Sequence, residues 1–133
     1  MNLKQFSKDL LLIIAGLVLA VGGYQAWQTH VYHDTSNPQQ VLKTAAKTDQ
    51  QTVLIFHKTG CPDCKSVVTT VNKGIKDNQS DTKFVVVDTK NSDLYQKYNV
   101  TEVPTVIALQ HGQEERRVVG TDKQQLSRIL AGE

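Results

Sequence analysis

Two cysteines, Cys61 and Cys64, are separated by Pro62 and Asp63, and the chain has no others. On a helix, a three-residue offset brings the second sulfur back beneath the first, close enough for a small disulfide ring. The chemistry open to such a pair is thiol–disulfide exchange, in which the outer sulfur, Cys61, attacks and the inner one, Cys64, resolves the mixed disulfide. Pro62 suits the first turn of a helix, because its missing N–H would have no partner there anyway. Cys61 then lies at the helix N-terminus, where free N–H groups and the positive dipole end favour a thiolate. Bland readings compete with this one. A passive disulfide closing so short a loop constrains the unfolded chain little. Two cysteines cannot make a four-thiolate zinc site, and His57 is the only sequence-near extra ligand. A copper-carrying pair would find no methionine after Met1. His30 and His33 have a spacing that could place both on one helical face, but they read as solvated histidines; no metal or cofactor is expected.

The pair needs a strand before it and a helix after it. Thr52–His57 is a short, mostly apolar run of the fully buried kind. Pro62–Asp77 carries Val67, Val68, Val71 and Ile75 at helical offsets. Around this junction, Gln39–Gln50 reads as a helix, Thr82–Asp88 as a second buried strand and Ser92–Tyr98 as a short helix. Thr105–Leu109 and Arg116–Val119 read as two strands, with a hairpin signal beginning at Gln110-His111-Gly112-Gln113. Thr121–Ala131 is a closing helix, with Thr121 or Asp122 as its cap. The first two strands, joined through a helix, should be parallel and the last two antiparallel.

The 133 residues suit one domain of ordinary size. A formal charge of +2, from 15 Lys+Arg against 13 Asp+Glu, excludes a polybasic nucleic-acid footprint and an acidic disordered tail. The apolar residues concentrate near the amino terminus, where Leu10–Trp27 contains no charge. As a helix, that stretch covers roughly 27 Å, close to the thickness of a bilayer core. Tyr24 and Trp27 stand where an interfacial aromatic belt would. An uncleaved signal anchor is the preferred reading, ahead of a cleaved signal at Ala20-Val21-Gly22. Lys4 and Lys8 precede the stretch, while Gln28–Gln40 carries only Asp34. The positive-inside rule then keeps residues 1–9 in the cytoplasm, spans the membrane once with 10–27, and exports a polar linker at 28–37 and a domain at 38–133. Outside the cytoplasm, disulfides persist.

The domain resembles the thioredoxin superfamily over nearly all of Pro38–Glu133. The likeness rests on the strand Val53–Phe56, on Cys61-Pro62-Asp63-Cys64, on the strand ending Val87-Asp88, and on Thr101-Glu102-Val103-Pro104-Thr105. It implies an α/β, thioredoxin-like fold: a central mixed sheet of about four strands flanked by helices, here preceded by one transmembrane helix. It implies a cis bond before Pro104, facing the cysteines, and a Val103 backbone offered to an extended substrate peptide. Gly120 resembles the family's glycine before the last helix. The departures are informative. Thr59-Gly60 precedes the pair, Ile55 stands where a buried Asp is usual, and Phe84 where its Lys partner is usual. His57 and Asp63 are the nearest titratable substitutes. His57 could stabilise the thiolate or shuttle a proton. Asp63 should disfavour thiolates unless water screens it.

The expected activity is therefore a membrane-anchored, extracytoplasmic thiol–disulfide oxidoreductase of a bacterium, with protein thiols or disulfides as substrates. It would need a redox-recycling partner that the sequence does not identify, would bind no nucleic acid, and would be a monomer by default. The alternative is a non-catalytic module holding a peptide or a metal. Small anchored proteins similar to this one accompany export, conjugation or bacteriocin-transport machinery in Gram-positive bacteria, which implies an accessory role in such an apparatus.

Overall fold

Apolar runs too short to span a membrane and too continuous for a surface form three of the four strands. The computed structural model describes residues 2–133. Its elements are α1 (Leu3–Gln28), α2 (Pro38–Ala45), β1 (Gln51–His57), α3 (Pro62–Asn78), β2 (Thr82–Asp88), α4 (Leu94–Lys97), β3 (Thr105–Gln110), β4 (Gln113–Val119) and α5 (Lys123–Leu130). Their order is the expected one, and most boundaries shift by a residue or two, three of them informatively. The first domain helix stops at Ala45 rather than Gln50: past it the Lys47 and Thr48 N–H groups bond the carbonyls three residues back, and the Thr48 hydroxyl donates to the Ala45 carbonyl at 2.9 Å. The Ser92–Tyr98 helix keeps only Leu94–Lys97. The last strand starts at Gln113 rather than Arg116, since His111 and Gly112 both adopt positive φ and close a tight hairpin. Of the two expected caps for α5, Asp122 serves, accepting from the Gln124 and Gln125 N–H groups at 3.0 and 3.1 Å.

The four strands lie in the order β2-β1-β3-β4. β1 pairs with β2 in parallel and with β3 antiparallel, and β3 pairs antiparallel with β4. Val53, Leu54, Ile55 and Phe56 of the inner strand β1 are all fully buried, so both faces of the sheet are covered. Strand alternation sends Val53 and Ile55 to the face packed by Val67 and Val71 of α3 and by Leu126, Ile129 and Leu130 of α5. Leu54 and Phe56 go to the other face, against Leu42 of α2 and Leu94 of α4. Helices α3 and α5 approach closely at Gly74, where an added Cβ would lie 2.6 Å from Leu130 Cδ1. The β4 edge carries Glu114, Glu115, Arg116 and Arg117, charges that discourage edge-to-edge pairing.

Alternation and register together decide what reaches the end of the sheet. His57 continues the Val53–Ile55 face, and Asp88 continues the face of Val86. The parallel register sets His57 directly beside Asp88. Two titratable side chains thus meet on the α3 side, at the strand ends from which the chain enters α3.

Helix α1 has 26 residues, about 39 Å in length, and none is buried. It is long and apolar enough to cross a membrane, a property that signal sequences share. The segment after it, read from composition as a polar tether, makes specific contacts. Asn72 of α3 donates its side-chain N–H groups to the carbonyls of Val31 at 2.7 Å, Thr29 at 3.2 Å and Gln28 at 3.4 Å. Thr35 covers the free edge of β2: its N–H donates to the Val86 carbonyl and its hydroxyl accepts from the Val86 N–H, both at 2.9 Å. Tyr32 packs against the core on the α3 side. The segment is thus bonded to α3 and to the edge of β2.

Candidate active site

The chain leaves β1 at His57 and turns through Gly60, whose φ of +87° suits glycine alone among common residues. Cys61 follows as the N-cap of α3, with Pro62 in the first turn. Its sulfur takes the place of a capping oxygen and accepts the Cys64 N–H at 3.1 Å. A donor N–H and the positive end of a 17-residue helix therefore face Cys61 Sγ. Cys61 is partly accessible, whereas Cys64 is 1% exposed. Burial, followed by the hydrogen bond with Cys61, pushes the Cys64 thiol up to about 12. The two sulfurs thus differ as attacking and resolving thiols should. Asp63 is exposed on the first turn of α3, so water screens its charge from both.

On the opposite side of Cys61, the Val103–Pro104 peptide bond is cis. The Cys61 thiol points at the Val103 carbonyl, with a sulfur–oxygen distance of 3.9 Å. Val103 is half-buried and Pro104 buried. Downstream, the Pro104 carbonyl accepts the Gly120 N–H at 2.9 Å, and the Thr105 hydroxyl donates to the Glu102 carbonyl at 2.6 Å. These bonds fix the Thr101–Thr105 turn beside the sulfur.

His57 is buried at the end of β1. Its Nε2 meets Asp34 Oδ1 at 2.5 Å. Its ring stacks on Tyr32, with centroids 4.2 Å apart and an interplanar angle of 17°. The Tyr32 hydroxyl donates to the Cys64 carbonyl at 2.6 Å. Burial, then the charges of Cys64 and Cys61, push that phenol above its ordinary range. Asp88 is buried beside His57 and accepts from the Thr59 hydroxyl, the Thr59 N–H at 3.2 Å and the Lys90 N–H at 2.8 Å. Burial alone would raise its pKa, but the Thr59 and Lys90 bonds and the neighbouring His57 outweigh it and leave the carboxyl lowered. Asp34, His57 and Asp88 bring potential ligand atoms within 4.8 Å of one another. Thr59 and Lys90 already bond the Asp88 oxygens, and Asp34 bonds His57 Nε2, so hydrogen bonds account for the cluster, with His57 Nδ1 left unpartnered.

The structure thus gathers Cys61, Cys64, Pro62, His57, Val103 and Pro104 at one end of the sheet. His30 and His33 do not converge: His30 meets Thr69 at 3.4 Å, and His33 donates to the Gln28 carbonyl at 3.1 Å. Sequence reasoning missed Tyr32, Asp34 and Thr59 as part of the site. No local pattern marks the first two, and Thr59 was visible only as the residue before Gly60. A cleft of about 600 Å³ joins Tyr32, Asp34, His57, Cys61 and Cys64.

The thioredoxin family model matches residues 29–131. Mitochondrial thioredoxin-2 of Schizosaccharomyces pombe is 35% identical over 88 residues, covering 66% of this chain and 66% of that protein. The thioredoxin of Echinococcus granulosus is 32% identical over 90 residues, covering 67% of this chain and 83% of that one. The TPR repeat-containing thioredoxin TDX of Arabidopsis thaliana, 30% identical over 74% of this chain, is matched over only 26% of its own length. Among solved structures, the thioredoxin NaTrxh of Nicotiana alata superposes with a TM-score of 0.66 at 29% identity, covering 74% of this chain and 86% of that one. With its mixed four-stranded sheet and this match, the chain belongs to the thioredoxin family.

Proposed function

We propose that the chain is a thiol–disulfide oxidoreductase acting on protein substrates, held at a membrane by α1 with residues 38–133 outside the cytoplasm. The observation that carries this reading is the cap geometry: Cys61 Sγ sits on the N-terminus of α3, accepts the Cys64 N–H at 3.1 Å and faces the Val103 carbonyl at 3.9 Å. In the reductive direction, the Cys61 thiolate attacks one sulfur of a substrate disulfide. A Cys61–substrate disulfide forms, the substrate bond breaks, and the other substrate sulfur leaves as a thiolate. An extended substrate segment lies along the Val103–Pro104 backbone, which directs its sulfur to Cys61. Cys64 then loses its proton and attacks Cys61 Sγ, so the Cys61–Cys64 bond forms and the substrate leaves reduced. The oxidative direction runs the same steps backwards, and a recycling partner restores the pair.

Support for the anchor comes from the fully exposed apolar surface of α1 and from Lys4 and Lys8 on its amino-terminal side. An accessory role in a bacterial export or conjugation apparatus fits a small anchored domain of this kind.

Replacing Cys64 by Ala should trap substrates on Cys61 in native membranes. The expected result is a set of adducts released by reductant and absent from the Cys61→Ala, Cys64→Ala double variant. No adduct, together with a double Ser variant that keeps its biological role, would favour a non-catalytic binding module instead. Protease protection in sealed vesicles tests the topology. A glutathione titration of the full chain assigns the direction: about −270 mV marks a reductant and about −120 mV a disulfide donor.

A further inference from the structure

Resolution of the mixed disulfide requires Cys64 to lose a proton, and the site must hold that proton while the sulfur attacks. The charged and titratable groups around the cleft can be taken in turn. Lys58 and Lys65 bring positive charge and no free base. Asp63 is on the exposed side of α3. Asp88 already accepts from Thr59 and Lys90, which makes it a poor acceptor. Ile55, buried in the core, offers no polar atom. His57 remains. Its Nε2 faces Asp34 Oδ1 at 2.5 Å, and since a carboxylate oxygen accepts, the neutral ring carries its proton on Nε2 and has Nδ1 as acceptor. Among the described residues, no buried side-chain nitrogen or oxygen lacks a hydrogen-bond partner. Nδ1, which has none, is therefore not sealed from solvent, and His57 and Cys64 line the same cleft.

We propose that His57 takes the proton of Cys64, and that Asp34 and Tyr32 are positioning residues supplied by the segment between α1 and α2. This proposal rests on the oxidoreductase reading of the same site. Asp34 fixes the tautomer and faces the imidazolium as it forms, with Asp88 adding a second negative charge in register. Tyr32 stacks on the ring and bonds the Cys64 carbonyl, so one side chain sets the place of both proton donor and acceptor. The step balances. The Cys64 S–H bond breaks, and its proton passes through the cleft to His57 Nδ1. The Cys64 sulfur pair forms the bond to Cys61 Sγ. The pair of the broken mixed disulfide leaves on the substrate thiolate.

The test uses the reduced full chain in detergent with 5,5′-dithiobis(2-nitrobenzoate). The first equivalent of thionitrobenzoate reports attack by Cys61, and the second reports ring closure by Cys64. In Asp34→Asn and His57→Gln the first phase should stay within about twofold of wild type near neutral pH. The second should slow by about a hundredfold, as for loss of a general base, and should then rise tenfold per pH unit into the alkaline range. Asp34→Glu should restore most of the second phase. Asp34 has a side chain 43% exposed and lies outside the core, so Asp34→Asn keeps the test valid even if His57→Gln folds poorly. A second phase that keeps its wild-type rate and pH profile in Asp34→Asn overturns the proposal while leaving the oxidoreductase reading intact. So does an equal fall in both phases. A wild-type protein that releases no second equivalent overturns the oxidoreductase reading itself.

Discussion

Alkylation of the reduced, folded protein tests the inequality of the two thiols. The perturbation is a small electrophile, iodoacetamide, which reacts with thiolate rather than thiol. Burial and the bond to Cys61 move Cys64 from an ordinary value of 9.0 to about 12. That makes its thiolate about a thousandfold rarer than that of a free cysteine, or about 1 in 10⁵ at about pH 7. Cys64 is also 1% exposed, so the reagent scarcely reaches it. Mass spectrometry of the full chain should therefore show one added group, on Cys61, long before a second. In Cys61→Ser the contributions tied to the Cys61 sulfur vanish, yet burial, the largest cause, persists, so Cys64 should remain slow. In denaturant both thiols should label at similar rates. Two groups added at comparable rates in the folded protein, or fast labelling of Cys64 in Cys61→Ser, would refute the argument that burial sets the order of attack.

The reduced protein should lose stability as pH rises from about 9 towards about 12, because the folded state then holds the Cys64 proton that the unfolded chain has released. The disulfide form carries no such proton, so the difference between the melting temperatures of the two forms should change in that window. Gly74→Ala should destabilise the domain by about 1–3 kcal/mol, because its methyl group meets Leu130; a higher urea midpoint would contradict the close approach of α3 and α5. Asn72→Ala strips its hydrogen bonds from the Val31, Thr29 and Gln28 carbonyls, at about 1–3 kcal/mol for acceptors left unpaired. Amide exchange at Val31–Thr35 should then quicken relative to β1, and unchanged protection would show that the segment is held by other contacts.

Much of the site was legible in the sequence because its signals are local. Cys61-Pro62-Asp63-Cys64 specifies both a helix start and a thiol pair within one turn, so neighbouring residues suffice to place the sulfurs. The apolar runs at Val53–Phe56 and Val85–Val87 need burial on both faces, which dictates neighbouring strands in a sheet covered on both sides and a helical crossover between them. Val103-Pro104 could be set beside the cysteines only through the family likeness, because the two segments are far apart in sequence.

The surroundings of His57 were not legible. Its neighbours come from two places: Asp88 through strand register, Tyr32 and Asp34 through the segment after α1. A polar run such as Gln28–Pro38 carries no periodicity to say which face of a domain it will bond. Its place is fixed by Asn72, Thr35 and the edge of β2, which are contacts between distant residues. The sequence by itself thus determined the strands, the helices, the apolar amino-terminal segment and the redox pair, because each follows from short-range pattern and burial. Only the tertiary structure decided that His57 is buried against Asp34 and Tyr32, because long-range packing alone brings those residues together.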